Sequence, residues 1–404
     1  MNPPGAASYR ALLRVPESRL LYASGLLARL PVAMLPFGLV LLVRDAGGSY
    51  AEAGTVVAAY TTAVALTQPL VSRLIDRRGQ RRILLPRAFL YPLLLLGLVL
   101  LIHARAPLAA TLVAAVLAGT QLPPVASALR VLLSTVIPAS MRHRAYALDA
   151  VLAESIWLTA PLVVTLVIAL GDPAASVLVA AVSAALGTIL FVSSDASRSA
   201  PVLEAHERGP RRIAQPLRWV FGFSTLFAVA WGGLEVSMPI FAEEHGNRDL
   251  AGIFLGCLAA GSLVGGLALG TIRSATPVAR MAGASAAFAV LAVAPLLADS
   301  MVSMAALAFV VGIPMSTALA SMFALIGDSA SAGRETETFA WTTTTFAAGT
   351  AIGVQLGGFA GDAWGFSGSI VVTLGASVLA SVAAGGARRS FARDALLPAA
   401  APCR

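Results

Sequence analysis

Long apolar runs alternate with short polar breaks along this chain. The runs fall at 20–43, 51–73, 83–103, 107–131, 145–169, 173–193, 217–241, 250–272, 280–298, 301–325, 337–361 and 366–386. Each holds about 20 residues, enough for a helix to cross roughly 30 Å of hydrocarbon. None is built from the short alternating segments of a membrane β-barrel. The pattern therefore predicts twelve transmembrane helices, punctuated by Gly, Pro and Arg clusters. The ninth and tenth are separated only by Asp299 and Ser300. The first run exceeds the apolar core of a signal peptide and has no small-residue cleavage site, so it is expected to be a retained helix.

The longest polar break, 194–216, is rich in Ser, Pro and Arg and divides the spans six and six. The expected organisation is a six-helix bundle over 1–193, a cytoplasmic linker over 194–216 and a second bundle over 217–404. The halves also echo one another. Ala118-Gly119 before Pro123 matches Val311-Gly312 before Pro314, and Ala145-Tyr146-Ala147 meets Thr338-Phe339-Ala340 at the same 193-residue offset. Met34-Leu35-Pro36-Phe37 in the first span is paralleled by Met238-Pro239-Ile240-Phe241 in the seventh. These matches point to duplicated halves, the parallel-repeat plan of many secondary transporters.

Composition closes off other classes. The 404 residues are 58% hydrophobic and only 12% charged, about half the charged share of a soluble domain. A soluble enzyme, a disordered regulator and a disulfide scaffold are excluded. The net charge is +8 and all 28 basic residues are arginine. With the N-terminus inside, 24 of them fall in or beside cytoplasmic segments, Arg44, Arg105 and Arg248 fall outside, and Arg29 lies within a helix. The excess of arginine predicts both termini on the cytoplasmic side of the cell membrane. Lying between apolar spans, the arginines form no nucleic-acid surface. Cys257 and Cys403 are not expected to pair, and the four histidines have no metal-ligand spacing. No metal or cofactor is expected, and the chain reads as a monomer in the lipid bilayer.

Ionisable groups inside the spans carry the candidate chemistry, because such a group is costly unless paired or wet. Arg29 and Glu154 each lie nine residues into their spans, about 14 Å deep at 1.5 Å per residue. They are expected to meet near the midplane. Arg130 and Asp149, nearer the cytoplasmic ends of the fourth and fifth spans, are expected to form a second pair. A paired carboxylate reads as a strut; a proton carrier must lose its partner in some state. Glu235, in Trp231-Gly232-Gly233-Leu234-Glu235, has no evident basic partner. It reads either as a proton or cation site in a wet cavity or as a rim residue facing water.

Between the second and third spans stands Ser72-Arg73-Leu74-Ile75-Asp76-Arg77-Arg78-Gly79-Gln80-Arg81-Arg82. Gly79 permits a tight turn between antiparallel helices. The stretch resembles the cytoplasmic signature of the major facilitator superfamily, Gly-x-x-x-Asp-Arg-x-Gly-Arg-Arg, through Asp76, Arg77, Gly79, Arg81 and Arg82. Ser72 replaces the leading glycine and Gln80 a common basic residue. The resemblance implies a gate in which Asp76 faces the start of the eleventh helix, after Arg334-Glu335-Thr336, with Arg130 nearby. A helix N-terminus attracts such an anion. Leu158-Thr159-Ala160-Pro161 resembles the Gly-Pro motif of proton-coupled drug antiporters in that superfamily, with Ala160 in place of glycine. By the same resemblance, Gln121, Trp231, Met315 and Trp341 are candidates for a substrate cavity. Glycine pairs at four-residue spacing, Gly252/Gly256, Gly261/Gly265, Gly266/Gly270 and Gly349/Gly353/Gly357, suggest close helix packing, expected where the halves rock.

The resulting expectation is a secondary active transporter, not an enzyme. It would work by rocker-switch alternating access, coupled to protons, in efflux of a small organic compound or drug. Proton-coupled sugar or metabolite transport, as uptake or export, is the alternative; a transporter-like sensor is a third reading.

Overall fold

The computed structural model describes residues 12–15, 17–138, 141–198, 215–247, 250–269, 276–329 and 335–396. The helices are α1 (Ser18–Asp45), α2 (Tyr50–Arg78), α3 (Gln80–His103), α4 (Leu108–Gln121), α5 (Val125–Val136), α6 (Arg142–Leu170), α7 (Pro173–Ser193), α8 (Asp195–Arg198), α9 (Gln215–Glu244), α10 (Ala251–Leu269), α11 (Pro277–Leu291), α12 (Met301–Ser329) and α13 (Glu335–Leu396). Among the described residues, ten helical segments are long and apolar enough to cross a membrane, and α10 is a shorter apolar helix. The backbone leaves helical geometry at Trp364 and Gly365, which breaks α13 into two arms. This is an all-α membrane fold whose helices accommodate the expected twelve crossings.

The chain divides into two compact units, Met1–Arg208 and Gly209–Arg404. In the first, α1 packs on α6 and α7, α2 on α4, and α3 on α4 and α7. In the second, α9 packs on α13, α10 on α12, and α11 on α12 and α13. α9 meets both arms of α13: a Cβ on Gly353 of the first arm would collide with the Val229 carbonyl, and Ser369 of the second donates to the Gly233 carbonyl at 3.0 Å. The second helix of each unit thus lies against the fourth, and the first against the fifth and sixth. The repeat seen in sequence has a structural counterpart in the matched glycines. A Cβ on Gly119 would strike the Tyr60 carbonyl, and one on Gly312 the Leu258 carbonyl. Both glycines let a fourth helix touch the backbone of a second.

Three details depart from the sequence reading. The fourth span is not one helix, because Leu122, Pro123 and Pro124 separate α4 from α5. A proline lacks the N–H that would bond the carbonyl four residues earlier, so Pro123 and Pro124 release the carbonyls of Gly119 and Thr120. The start of the expected linker belongs to the first unit. There Glu17 accepts the N–H groups of Asp195 and Ala196, each at 2.8 Å, at the start of α8, and Ser194 and Ser197 are buried. Of the four-spaced glycines, Gly261, Gly265, Gly266, Gly349, Gly353 and Gly357 face neighbours within the second unit. A Cβ on Gly261 or Gly265 would meet the carbonyl of Phe309 or Ile313, and one on Gly349 the Thr225 carbonyl. Gly270 lies outside the described residues.

The short break between the ninth and tenth spans is held by hydroxyls. Ser303 donates to Asp299 at 2.9 Å and accepts the Ser300 N–H at 3.0 Å. The Ser303 and Ser300 hydroxyls hold the exposed Asp299 carboxyl below its ordinary range.

Candidate functional site

Among the described residues, buried charged groups form two sites, one in each unit. In the first, α1 and α6 meet along a seam. Tyr22 and Arg29 lie seven residues apart on α1, and so share a face. The Tyr22 hydroxyl donates to the Ala145 carbonyl at 3.0 Å. One turn along α6, Asp149 Oδ1 accepts from the Arg29 guanidinium at 2.6 Å. Its other oxygen accepts from Arg130 Nε of α5 at 3.2 Å. Arg29 also reaches the Ala126 carbonyl at 3.5 Å, while its Nε has no hydrogen-bond partner among the described residues. One carboxylate is therefore shared by two guanidinium groups.

This corrects the expected partner of Arg29. Asp149 and Glu154 are five residues apart, about 140° around a helix. Asp149 lies one turn from Ala145 on the face turned to α1. Equal depth placed Glu154 beside Arg29 in the sequence reading; azimuth decides for Asp149. The side chain of Glu154 lies outside the described residues, as do those of Asp76 and Trp341.

The signature turn is built as its residues imply. Gly79 adopts φ +85° between α2 and α3, and its N–H donates to the Ile75 carbonyl at 2.8 Å. Open space surrounds it, so backbone conformation and not crowding calls for glycine. Arg77, Arg81 and Arg82 are exposed. Ser72, standing where the signature has glycine, brings its hydroxyl 3.1 Å from that of Ser127 across α2 and α5.

The α4–α5 break holds a residue that sequence reasoning missed. Arg87 of α3 was counted only among the residues that set orientation. Its guanidinium donates to the Thr120 carbonyl at 2.5 Å, the very group released by Pro124. Gln68 of α2 donates to the Leu122 carbonyl at 3.3 Å. Broken membrane helices are tolerated where neighbours satisfy the freed backbone, and here α2 and α3 do so. The readable signal was tandem proline beside a span carrying a cation. Gln121, a cavity candidate, sits half-buried at this break and donates to the Thr120 hydroxyl at 3.1 Å.

In the second unit, Glu235 on α9 is buried, with 7% exposure, so it does not face water at a rim. The Trp231 side chain, one turn earlier, hydrogen-bonds its carboxylate. Among the described residues no arginine or histidine lies within ion-pair distance of it. Met315 on α12 is buried. Among the described residues, no group of three or more His, Cys, Asp or Glu could hold a metal.

The sequence profile of the Major Facilitator Superfamily matches residues 21–302. The chain belongs to this superfamily. Solved structures agree in fold. A bacterial homologue of the human lysosomal transporter Spinster, inward-facing and occupied, aligns with a TM-score of 0.73 at 14% identity, covering 97% of this chain and 99% of its own. The peptide transporter POT in complex with sulfate gives 0.70 at 14% identity, over 93% and 94%. A point mutant of the nucleoside transporter NupG gives 0.67 at 13%, over 92% and 100%. At such identities the likeness is one of fold. No curated protein sequence matches the chain. The superfamily protein described here is a multi-pass membrane protein of a transporter family.

Proposed function

We propose that this superfamily member is a proton-coupled secondary transporter that exports a small organic compound by alternating access of its two units. The observation that carries the reading is Glu235, a carboxylate withdrawn from water with an indole partner and no counter-charge within reach among the described residues. Taking up a proton cancels such a buried charge, and releasing it calls for water or a cationic cargo. Occupancy by proton or cargo is thereby tied to access. Asp149 suits this role poorly, because two guanidinium groups already compensate its charge. It reads as a strut joining α1, α5 and α6. Export rests on the Leu158–Pro161 resemblance to antiporters, and the Asp76 latch rests on the signature. The cell membrane, with both termini cytoplasmic, is the location that the arginine distribution favours.

The test uses inside-out vesicles with an acidified lumen and a pH-sensitive dye. Drugs and metabolites are added in turn to wild type and to Glu235→Gln. A compound class should release luminal protons in wild type and not in the variant. Substrate-triggered release that persists in Glu235→Gln overturns Glu235 as the carrier. Substrate movement with no proton release in wild type overturns proton coupling.

A further inference from the structure

Beside the signature turn, the first unit forms an open groove of about 520 Å³, within the range of about 300–1,000 Å³ common for small-ligand sites. Its walls come from two places far apart in sequence. Arg78, Arg81 and Arg82 flank the start of α3, and Ser197 and Arg198 come from α8. Gln80 holds the two walls together. Its amide donates to the Ala128 carbonyl at 3.3 Å, and its carbonyl oxygen accepts from the Ser197 hydroxyl at 3.1 Å. The Glu17 carboxylate fixes α8 from the other side.

The groove is strongly basic. Among the described residues, Arg198 pairs with exposed Asp195 alone, at 3.5 Å. Arg78, Arg81 and Arg82 form no ion pair among the described residues. Gly79 supplies no side chain to cap the first turn of α3. Uncapped N–H groups at a helix start add positive potential in the same place.

One wall continues into an apolar track. Leu85 and Pro86 line the groove on the side of the apolar span. From Arg82 the same face of α3 runs through Pro86, Phe89, Leu93, Leu96 and Leu100 at three- and four-residue steps. Those last four side chains are exposed, Phe89 by 57% and Leu93 by 63%. A cationic pocket opening onto an apolar stripe matches a molecule with an anionic head and hydrocarbon tails.

We infer that this groove binds the phosphodiester headgroup of an anionic phospholipid, such as phosphatidylglycerol, with the acyl chains along α3. The headgroup bridges Arg81 and Arg82 of the signature turn to Arg198 of α8, so the lipid staples the start of the inter-unit segment to the first unit. Surface arginines that merely set orientation need no second wall and no aligned stripe.

The test titrates the delipidated chain in detergent with phosphatidylglycerol, phosphatidylcholine or inorganic phosphate, read by native mass spectrometry. Wild type should bind one phosphatidylglycerol in preference to phosphatidylcholine. Each arginine near an anionic headgroup contributes about fivefold, so Arg81→Gln/Arg82→Gln/Arg198→Gln should weaken that binding about a hundredfold. Arg388→Gln/Arg389→Gln, which removes exposed cations at the far end of α13, should leave it intact. If the triple variant fails to fold, Arg198→Gln alone, with about a fivefold loss, carries the test. Equal binding by wild type and the pocket variants, equal loss in the Arg388/Arg389 control, or no preference over phosphatidylcholine each overturns the inference. Inorganic phosphate binding as tightly as the lipid assigns the site to a free anion and overturns the lipid.

Discussion

Replacing Asp149 by asparagine tests the buried charge cluster most directly. The Asp149 side chain is 3% exposed and that of Arg29 is 8% exposed, whereas that of Arg130 is 61% exposed. These exposures divide the two ion pairs energetically. Removing one partner of a buried pair strands the other charge and costs about 3–5 kcal/mol. An exposed pair contributes roughly 0–1 kcal/mol. Asp149→Asn is therefore expected to cost about 3–5 kcal/mol, nearly all through the stranded Arg29. Arg130→Gln should cost no more than about 1 kcal/mol. For a unit of about 200 residues, the asparagine variant should lose roughly 6–20 °C in Tm. The assay is thermal unfolding in detergent, followed by tryptophan fluorescence. Arg29→Gln/Asp149→Asn should recover much of the loss, because no charge then remains buried without a partner. If Asp149→Asn melts within about 2 °C of wild type, or if Arg130→Gln is equally destabilising, the pairing argument fails.

Two further perturbations probe the helix break and the repeated close contacts. Arg87→Met leaves the Thr120 carbonyl without its donor and should cost about 1–3 kcal/mol. Adding Pro124→Ala restores a backbone N–H in register with that carbonyl, and thermal unfolding should show most of the loss recovered; no recovery refutes the assigned role of Arg87. Gly119→Ala and Gly312→Ala each push a methyl into the carbonyl of a neighbouring helix and should lower stability by about 1–3 kcal/mol. Gly97→Ala and Gly283→Ala, where a Cβ meets nothing within 4 Å, should not lower the Tm; equal losses at all four positions would remove the close-contact explanation.

The site was legible in uneven degree. Arg130 and Asp149 could be paired from sequence because both stand near the same ends of consecutive spans. Arg29 could not be paired correctly, because hydropathy gives depth and leaves rotation about the helix axis open. Arg87 was hidden for a related reason. An arginine near a span end has the same signature whether it reaches for headgroups or turns inward to a carbonyl. Its role emerges only when the tandem proline of one helix is seen against the face of another.

The linear order of residues determined which segments are helices and that the halves repeat. Those features depend on local matters: apolar length against hydrocarbon thickness, the missing N–H of proline and the freedom of glycine. The tertiary structure decided who touches whom. Asp149 serves two arginines, Gly119 and Gly312 seat a fourth helix on a second, and α8 folds back to complete a basic groove. Each of these contacts requires a register and a rotation to agree between helices far apart in the chain. Only the packing of whole helices sets both.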